Sequence, residues 1–594
     1  MKKINIKYIL MLFVTACLSV ACDDDNLTEV NPNNLSVSSF WMNLKDTDGG
    51  LTATYNAMLN ENLLGILNEG IRSDMGWPGF GRPRSNRDGL RTFYEQTYNE
   101  SDGFIQAKWD ACYTLIFRAN QVIEALERIE SNITEGERNN WISQMAQARF
   151  FRGLGHFYLH SSYNNGNVII RNKVPLTTED LEQPVSPAAE VLSFFREDLQ
   201  FAFDNLPLQY NNPQSNSGCV TKGTAATILG TSFLYESQYE AAIPLFNGVI
   251  RSGVYELVDD MDLLFTRAGE FNAESIFELN YTNDFRTDIG VFQPDVLTNQ
   301  LAVKTTNNEG PNLPVWLVNE YKVDPIDFAD ERNTYEVPSS LGTFEQRSVS
   351  LRTNAMVAIV DDDDPINLYY QQVTGIRIVL GNSGWGFGRY KKYTNHDIGT
   401  GEGGMDPRGS RASGKNIVVN RLAEVYLMQA ECLIKTGNIS GALELINTVR
   451  HRWALRLLGP PNPKWPSSTF DDEVYDETRL MEHLMFTEKP LELSLEGHQT
   501  RWNDLRRWGV IRENFQRLSE QTFYASNKQV RRLDGTLGRA RPSSSIGTTP
   551  IPAVGNGLNI IDYEYEDAAI NYTPELHDYY PIPLGEIRTN PNIN

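Results

Sequence analysis

The run NIVVNRLAEVYLMQAECLIKTGNISGALELINTVRHRW, residues 416–453, decides how the rest of the chain is read. Leu422, Val425, Tyr426, Met428, Leu433 and Ile434 recur at helical spacing, Thr436-Gly437-Asn438 interrupts them, and Ala442, Leu443, Leu445, Ile446 and Val449 resume the pattern. That spells one helix, a glycine-containing turn and a second helix. A lone helical hairpin cannot bury its apolar stripe, so a second copy is expected. It lies about two hundred residues upstream, a repeat separation read directly from the sequence. GTSFLYESQYEAAIPLFNGVI, residues 230–250, aligns without a gap on residues 430–450, with Leu433 on Phe233, Ile439 on Tyr239, Ala442 on Ala242, Leu445 on Leu245, Asn447 on Asn247 and Val449 on Val249.

A small alanine at the closest approach, flanked by large apolar residues, is how tetratricopeptide-type helix pairs pack. The fold class read from this is mainly α: a tetratricopeptide-type helix-hairpin superhelix with a large loop-rich insert lobe. Pro244 inside the upstream copy is expected to strain or kink its second helix. Helical patterns also cover residues 104–129, 141–160 and 191–206, with a first helix near residues 54–59. Further on they cover 473–495, with a break at Pro490, and 502–518. Ser275 to Leu279 alternates like a strand, and residues 281–415 are irregular. The resulting division is 1–21 signal, 22–55 tether and start of the mature chain, 56–280 N-terminal hairpin region, 281–415 insert, and 416–594 C-terminal hairpin and closing region.

The chain has 594 residues, too many for one ordinary core, and 40% apolar with 22% charged residues is a globular composition. A formal charge of -23 argues strongly against nucleic acid as a partner, because phosphate backbones are bound through Lys and Arg. Lys2 and Lys3 precede an apolar run from Ile9 to Val20 that meets Ala21-Cys22. This is an export signal too short to remain as a membrane span. Cys22 resembles the lipidated cysteine of a bacterial lipoprotein box, with Cys17 as its rival, and Asp23-Asp24-Asp25 follows like a surface-export tag. The remaining cysteines, Cys112, Cys219 and Cys432, read as buried thiols.

Two loops carry matching words: Trp77-Pro78-Gly79-Phe80-Gly81-Arg82 and Trp385-Gly386-Phe387-Gly388-Arg389-Tyr390. A sugar ring presents a flat C–H face and a rim of hydroxyls, so its capture calls for uncovered aromatic rings beside planar donor forks. Arg72 and Asp74 flank the first loop, and Asn43 and Trp41 are further candidates near the start of the mature chain. The plainer reading is that these rings pin the loops to the helical body.

Glu488, Glu492 and Glu496 recur every fourth residue. They could serve as acid and base of a glycosidase, but pairing with Arg501, Arg506 and Arg507 to hold helices together is the better reading. His156 and His160, one turn apart, lack the spacing of a zinc protease and read as packed or surface histidines. Asp361 to Asp364 lacks the alternation of a calcium loop and reads as a solvated turn. No metal and no cofactor is expected.

Several motifs, in their order along the chain, resemble the SusD/RagB family of surface lipoproteins. They are Gln147-Ala148-Arg149-Phe150-Phe151-Arg152 with Tyr158, Val174-Pro175-Leu176, Thr221-Lys222, Ala423-Glu424-Val425-Tyr426-Leu427 through Ala430-Glu431, and Ile446-Asn447 to Arg450. Glu488, Glu492-Leu493, Glu496-Gly497-His498, Asp504-Leu505-Arg506-Arg507-Trp508 and Tyr580-Pro581-Ile582-Pro583 follow. The resemblance implies a non-enzymatic, lipid-anchored protein of the outer membrane that binds a glycan ligand. It also implies a partner, a TonB-dependent SusC-like transporter, with the repeats facing the barrel and the insert facing the sugar. An all-α glycoside hydrolase or lyase and a purely protein-binding repeat scaffold are the alternatives.

Overall fold

Eight helices stack in sequence to form the body. They are α1 (Leu44–Ala57), α2 (Gly103–Ile129), α3 (Arg138–Ser162), α4 (Ala188–Asn205), α5 (Lys222–Tyr235), α6 (Tyr239–Ile250), α7 (Leu422–Lys435) and α8 (Ile439–Arg452). The structure, a computed structural model, describes residues 40–79, 88–212, 215–281, 298, 301, 311–381, 387–399, 413–538, 541–553, 555–560 and 564–593. Each of the eight packs on the next, and α6 packs directly on α7 across the whole insert. The two hairpins matched in the sequence are therefore neighbours in space.

Their contacts follow from the residues. Ala242 and Ala442 are both fully buried, as are Phe246, Ile446 and Val449. Where α5 crosses α6, a Cβ on Gly230 would lie 2.6 Å from the Phe246 ring, so this approach requires glycine. The downstream turn uses Gly437 at φ +83°, and the upstream copy holds Ser237 in the same left-handed region at φ +57°. The helix α6 is unbroken across Pro244. Pro244 is exposed, so the carbonyl it leaves without an N–H partner can turn to water.

Strands are short. β1 (Trp77–Pro78) pairs with β3 (Pro311–Asn312), β2 (Ser275–Leu279) with β6 (Ile417–Arg421), and β4 (Val357–Ile359) with β5 (Gly388–Tyr390), all antiparallel. The β2–β6 pair joins the two ends of the insert at the base of α7. The first residues of the deciding stretch are thus strand rather than helix.

After α8 the chain forms α9 (Glu477–His483), a π turn (Leu484–Glu488), α10 (Lys489–Leu493), α11 (Thr500–Arg507) and α12 (Ile511–Ser519). Pro490 does not end the helical run. The π turn before it, closed by the Lys489 N–H donating to the Leu484 carbonyl, opens the ladder where the proline ring would otherwise clash. The pattern over 502–518 is two helices, because Gly509 at φ +70° breaks it.

Buried charge joins insert and body. Asp324, Glu274, Glu488, Glu492 and Glu496 face Arg352, Arg421, Arg450, Arg452 and Lys392, with every side chain under 9% exposed. Arg421 donates to Glu492 at 2.7 Å and to Glu274 at 2.8 Å, and Arg450 donates to Glu488 at 2.8 Å. The three-carboxylate stack holds elements together, but its partners come from the insert, β6 and α8 rather than from Arg501, Arg506 and Arg507. Burial alone would raise the Glu488 carboxyl, yet the Arg352 and Arg450 guanidiniums hold it well below the usual range.

Asp361 to Asp364 is not a solvated turn. Asp362 is fully buried and accepts from Asn367 at 2.7 Å and Asn354 at 3.1 Å, and Asp361 accepts from the Ser545 hydroxyl at 2.8 Å. Burial, then the neighbouring Asp362, pushes the Asp364 carboxyl up to about 6. His156 is buried, accepts the Arg171 N–H at 3.1 Å through Nε2 and so donates from Nδ1 to the Arg152 carbonyl at 2.9 Å. Among the described residues no group of three or more His, Cys, Asp or Glu side chains is placed to hold a metal ion. Cys112 and Cys432 are buried free thiols, and Cys219 is half-buried and also free.

Candidate functional site

The two aromatic loops grow from one root. Ile66–Arg72 is a short helix whose end turns through Asp74 and Met75 into β1. Trp77 pairs with Asn312 and Pro78 with Pro311, while β5 runs alongside β4. Asn312 bridges the two segments: its Nδ2 donates to the Gly79 carbonyl and its Oδ1 accepts from Arg389 Nη1. The Tyr390 hydroxyl donates to the Met75 carbonyl, a second tie between the same segments. Two stretches about three hundred residues apart, a gap read from their numbering, thus leave the body side by side. Glycine leaves room on the second, since a Cβ on Gly388 would press on Ile359 at 3.0 Å and Leu313 at 3.1 Å.

The described candidate side chains lie inside this root. Trp77 is 2% exposed, with its ring edge-on to Tyr94 at 5.1 Å. Tyr390 and Arg389 are buried. Asp74 is fully buried and takes two bonds from Arg501, at 2.8 and 2.6 Å, and one from Asn514 at 2.8 Å. Arg72 is also fully buried: its guanidinium lies 3.8 Å over Tyr580 and 4.1 Å over Trp502, Nε donates to Tyr98 at 3.0 Å, and Nη2 donates to the His577 carbonyl at 2.6 Å. The expectation that Arg72 and Asp74 complete a ligand contact is corrected: both lock the approach to the first loop onto the C-terminal region.

Asn43 is spent as well. It caps α1, its Oδ1 accepting the Lys45 N–H at 2.9 Å while Asp46 accepts the Asn43 N–H at 3.2 Å. Trp41 is half-buried against Phe40 and Gly50. Phe80, Arg82, Trp385 and Cys22 lie outside the described residues.

Two residues of the root escaped the sequence reading. Asn312 sits in Pro311-Asn312-Leu313-Pro314, where flanking prolines announce an extended segment but not its partner. Arg501 belongs to a cluster of arginines downstream of the carboxylate stack, and proximity in sequence pointed it to the wrong acid.

The motifs that carried the resemblance are largely buried polar locks. Arg507 Nη2 donates to Glu431 at 2.6 Å, the Trp508 indole N–H to the same carboxylate at 2.7 Å, and Lys489 to Asp504 at 2.6 Å. Burial would raise the Glu431 carboxyl, but Arg507 and Lys489 bring it down to about 2. Arg149 and Arg152 of α3 both grip Asp198 of α4, at 2.7 Å each.

Known proteins share this fold. A model described as the SusD family matches residues 297–594, and one described as starch-binding, associating with the outer membrane, matches residues 83–229. The chain is 22% identical over 538 residues to SusD-like protein P25 of Formosa agariphila, covering 89% of this chain and 93% of that one. It superposes on the crystal structure of a SusD superfamily protein from Bacteroides vulgatus with a TM-score of 0.65 at 20% identity, over 93% of this chain and 99% of that one. A laminarin-binding SusD-like protein superposes with a TM-score of 0.62 at 20% identity, over the same shares. With a family model matching half of its length and its mainly helical hairpin fold shared along nearly the whole chain, this protein belongs to the SusD family.

Proposed function

We propose that this protein captures oligosaccharides at the cell surface without catalysing their cleavage and delivers them to a TonB-dependent SusC-like transporter of the outer membrane. The observation that carries the reading is the common root at Asn312, from which both aromatic-glycine-arginine loops depart. The buried Trp77, Arg389 and Tyr390 hold that root, and Phe80, Arg82 and Trp385 are the ring and donor contacts to the sugar. The laminarin-binding relative and the starch-binding description of the second matching family support a glycan as ligand. The charge of -23 favours a neutral one. Cys22 carries the lipid that holds the body at the membrane. The buried ion pairing of Glu488, Glu492 and Glu496 supports a non-catalytic role, because a general acid needs access to the glycosidic oxygen.

Calorimetric titration of the chain begun at residue 23 against a panel of oligosaccharides, laminarin fragments included, tests the reading. Binding to one class, lost in Trp385→Ala, supports capture. Flat traces throughout, with co-purification of a barrel partner unaffected by the same change, would replace it with the protein-scaffold reading.

A further inference from the structure

A cavity of about 290 Å3 opens between α3, α4, α5, α11 and the segment at Asp578 and Tyr579, and Arg506 lines it. Arg506 differs from its neighbours. Arg501 is doubly bonded to Asp74, and Arg507 is bonded to Glu431 and Asp504, but among the described residues Arg506 forms no ion pair. Its Nη1 donates to the carbonyls of Ser161 at 2.8 Å and Asp578 at 3.1 Å, and the guanidinium lies 3.7 Å over the Tyr579 ring. Nε and Nη2 donate to no acceptor among the described residues.

Asn503 lines the same cavity at 1% exposure; its Nδ2 stands beside the Tyr235 hydroxyl without closing a hydrogen bond, and its Oδ1 accepts from Gln499 at 3.2 Å. A buried donor left without a partner is costly, so the cavity is short of acceptors. Its own carboxylates, Asp578 and Glu236, act on Arg506 through space but accept no hydrogen bond from it. The Tyr572 hydroxyl donates to Asp578, and Glu236 sits 41% exposed, 3.5 Å from His160. Burial also holds the Arg506 guanidinium below its ordinary value.

A planar fork stacked on a ring leaves its edge free for two parallel bonds to one anion. Phe157, Phe195 and Leu192 add apolar side chains to the lining. We propose that this cavity binds a small anionic ligand, a carboxylate or phosphate monoester no larger than one sugar ring, with Arg506 Nε and Nη2 as the fork and Asn503 Nδ2 as a third donor. The volume lies at the lower end for small-molecule sites, which sets the size limit. The inference is independent of the glycan proposal, because the cavity shares no residue with the loop root.

The test is calorimetric titration of the protein with D-glucuronate, glucose 6-phosphate and, as neutral control, D-glucose. Binding of D-glucuronate or glucose 6-phosphate without binding of D-glucose is expected, and which of the two binds identifies carboxylate or phosphate as the source. Arg506→Gln should weaken that binding at least thirtyfold. Leu192→Trp, which fills the cavity without touching its donors, should abolish it with the melting temperature retained, and it keeps the test decisive if Arg506→Gln fails to fold. No heat with either anion, equal binding of D-glucose, or anion binding unchanged in Leu192→Trp would each overturn the proposal.

Discussion

Asp74 and Arg501, 427 positions apart, meet in two parallel hydrogen bonds inside the protein, Nε to Oδ1 at 2.8 Å and Nη2 to Oδ2 at 2.6 Å. The pair fixes the segment that enters the first aromatic loop against α11. The Trp316 indole N–H donates to the Asp74 carbonyl at 2.9 Å, so the same residue also holds the segment that follows β3.

Removing the Asp74 carboxylate leaves Arg501 charged and unpaired in a site where it is only 9% exposed. Asp74→Ala should therefore cost roughly 3–5 kcal/mol, the range for breaking a buried pair from one side. Urea denaturation measures it. A loss under 1 kcal/mol would show that the pair does not anchor the root.

The helical body was legible because its signals are local. Apolar residues three and four apart, a turn at Thr436-Gly437-Asn438 and the matching copy at Gly230 to Ile250 each lie within a single window of sequence. The loop root was not legible for the opposite reason. Trp77, Arg389 and Tyr390 look the same in sequence whether they face solvent or a core, and the residue that settles the matter, Asn312, lies more than two hundred positions from the first loop. Glu488, Glu492 and Glu496 show the intermediate case. Periodicity placed them on one face and chemistry demanded cations, but only the folded insert supplies Arg352 and Lys392.

Glu492 is fully buried, accepting from Arg421 at 2.7 Å and from the Trp453 indole N–H at 2.6 Å. Glu492→Gln keeps the shape but removes one of the carboxylates that neutralise Arg421 and Arg452, both of which keep Glu274, and about 1–3 kcal/mol of stability should go with it. Reducing-end assays on a polysaccharide panel should read zero for the parent protein. Release of reducing ends by the parent, abolished in Glu492→Gln at a temperature where the variant is folded, would restore the hydrolase alternative.

His156 makes stability depend on pH in a defined window. Burial holds the folded imidazole neutral and lowers it from 6.5 to about 4. Between those values the unfolded chain binds a proton that the folded one refuses, so stability is full above pH 6.5 and falls as the pH drops toward 4. The loss from this residue should approach about 3 kcal/mol below pH 4. His577, also lowered to about 4, adds to the same slope. Asp364, raised to about 6, works in the opposite sense over the same window, so the readout is the difference: chemical denaturation from pH 7 to 4 should show the parent losing more stability with acid than His156→Gln, and equal slopes would exclude His156 as a source.

The last test separates a ligand contact from the root that positions it. Trp385→Ala should leave the melting temperature within a degree or two while weakening glycan binding at least tenfold, about 1.4 kcal/mol, as expected for the loss of one stacked ring. Asn312→Ala acts differently, since it removes both the bond to the Gly79 carbonyl and the bond from Arg389 in a fully buried position. It should cost roughly 1–3 kcal/mol in stability, the penalty for leaving a buried partner unsatisfied. It should also weaken binding, because both loops lose their shared reference point. Circular dichroism melts alongside calorimetry give the two readouts for each variant. If Asn312→Ala lowers stability but leaves affinity untouched, the loops do not act through a common root, and the site must be sought on one of them alone.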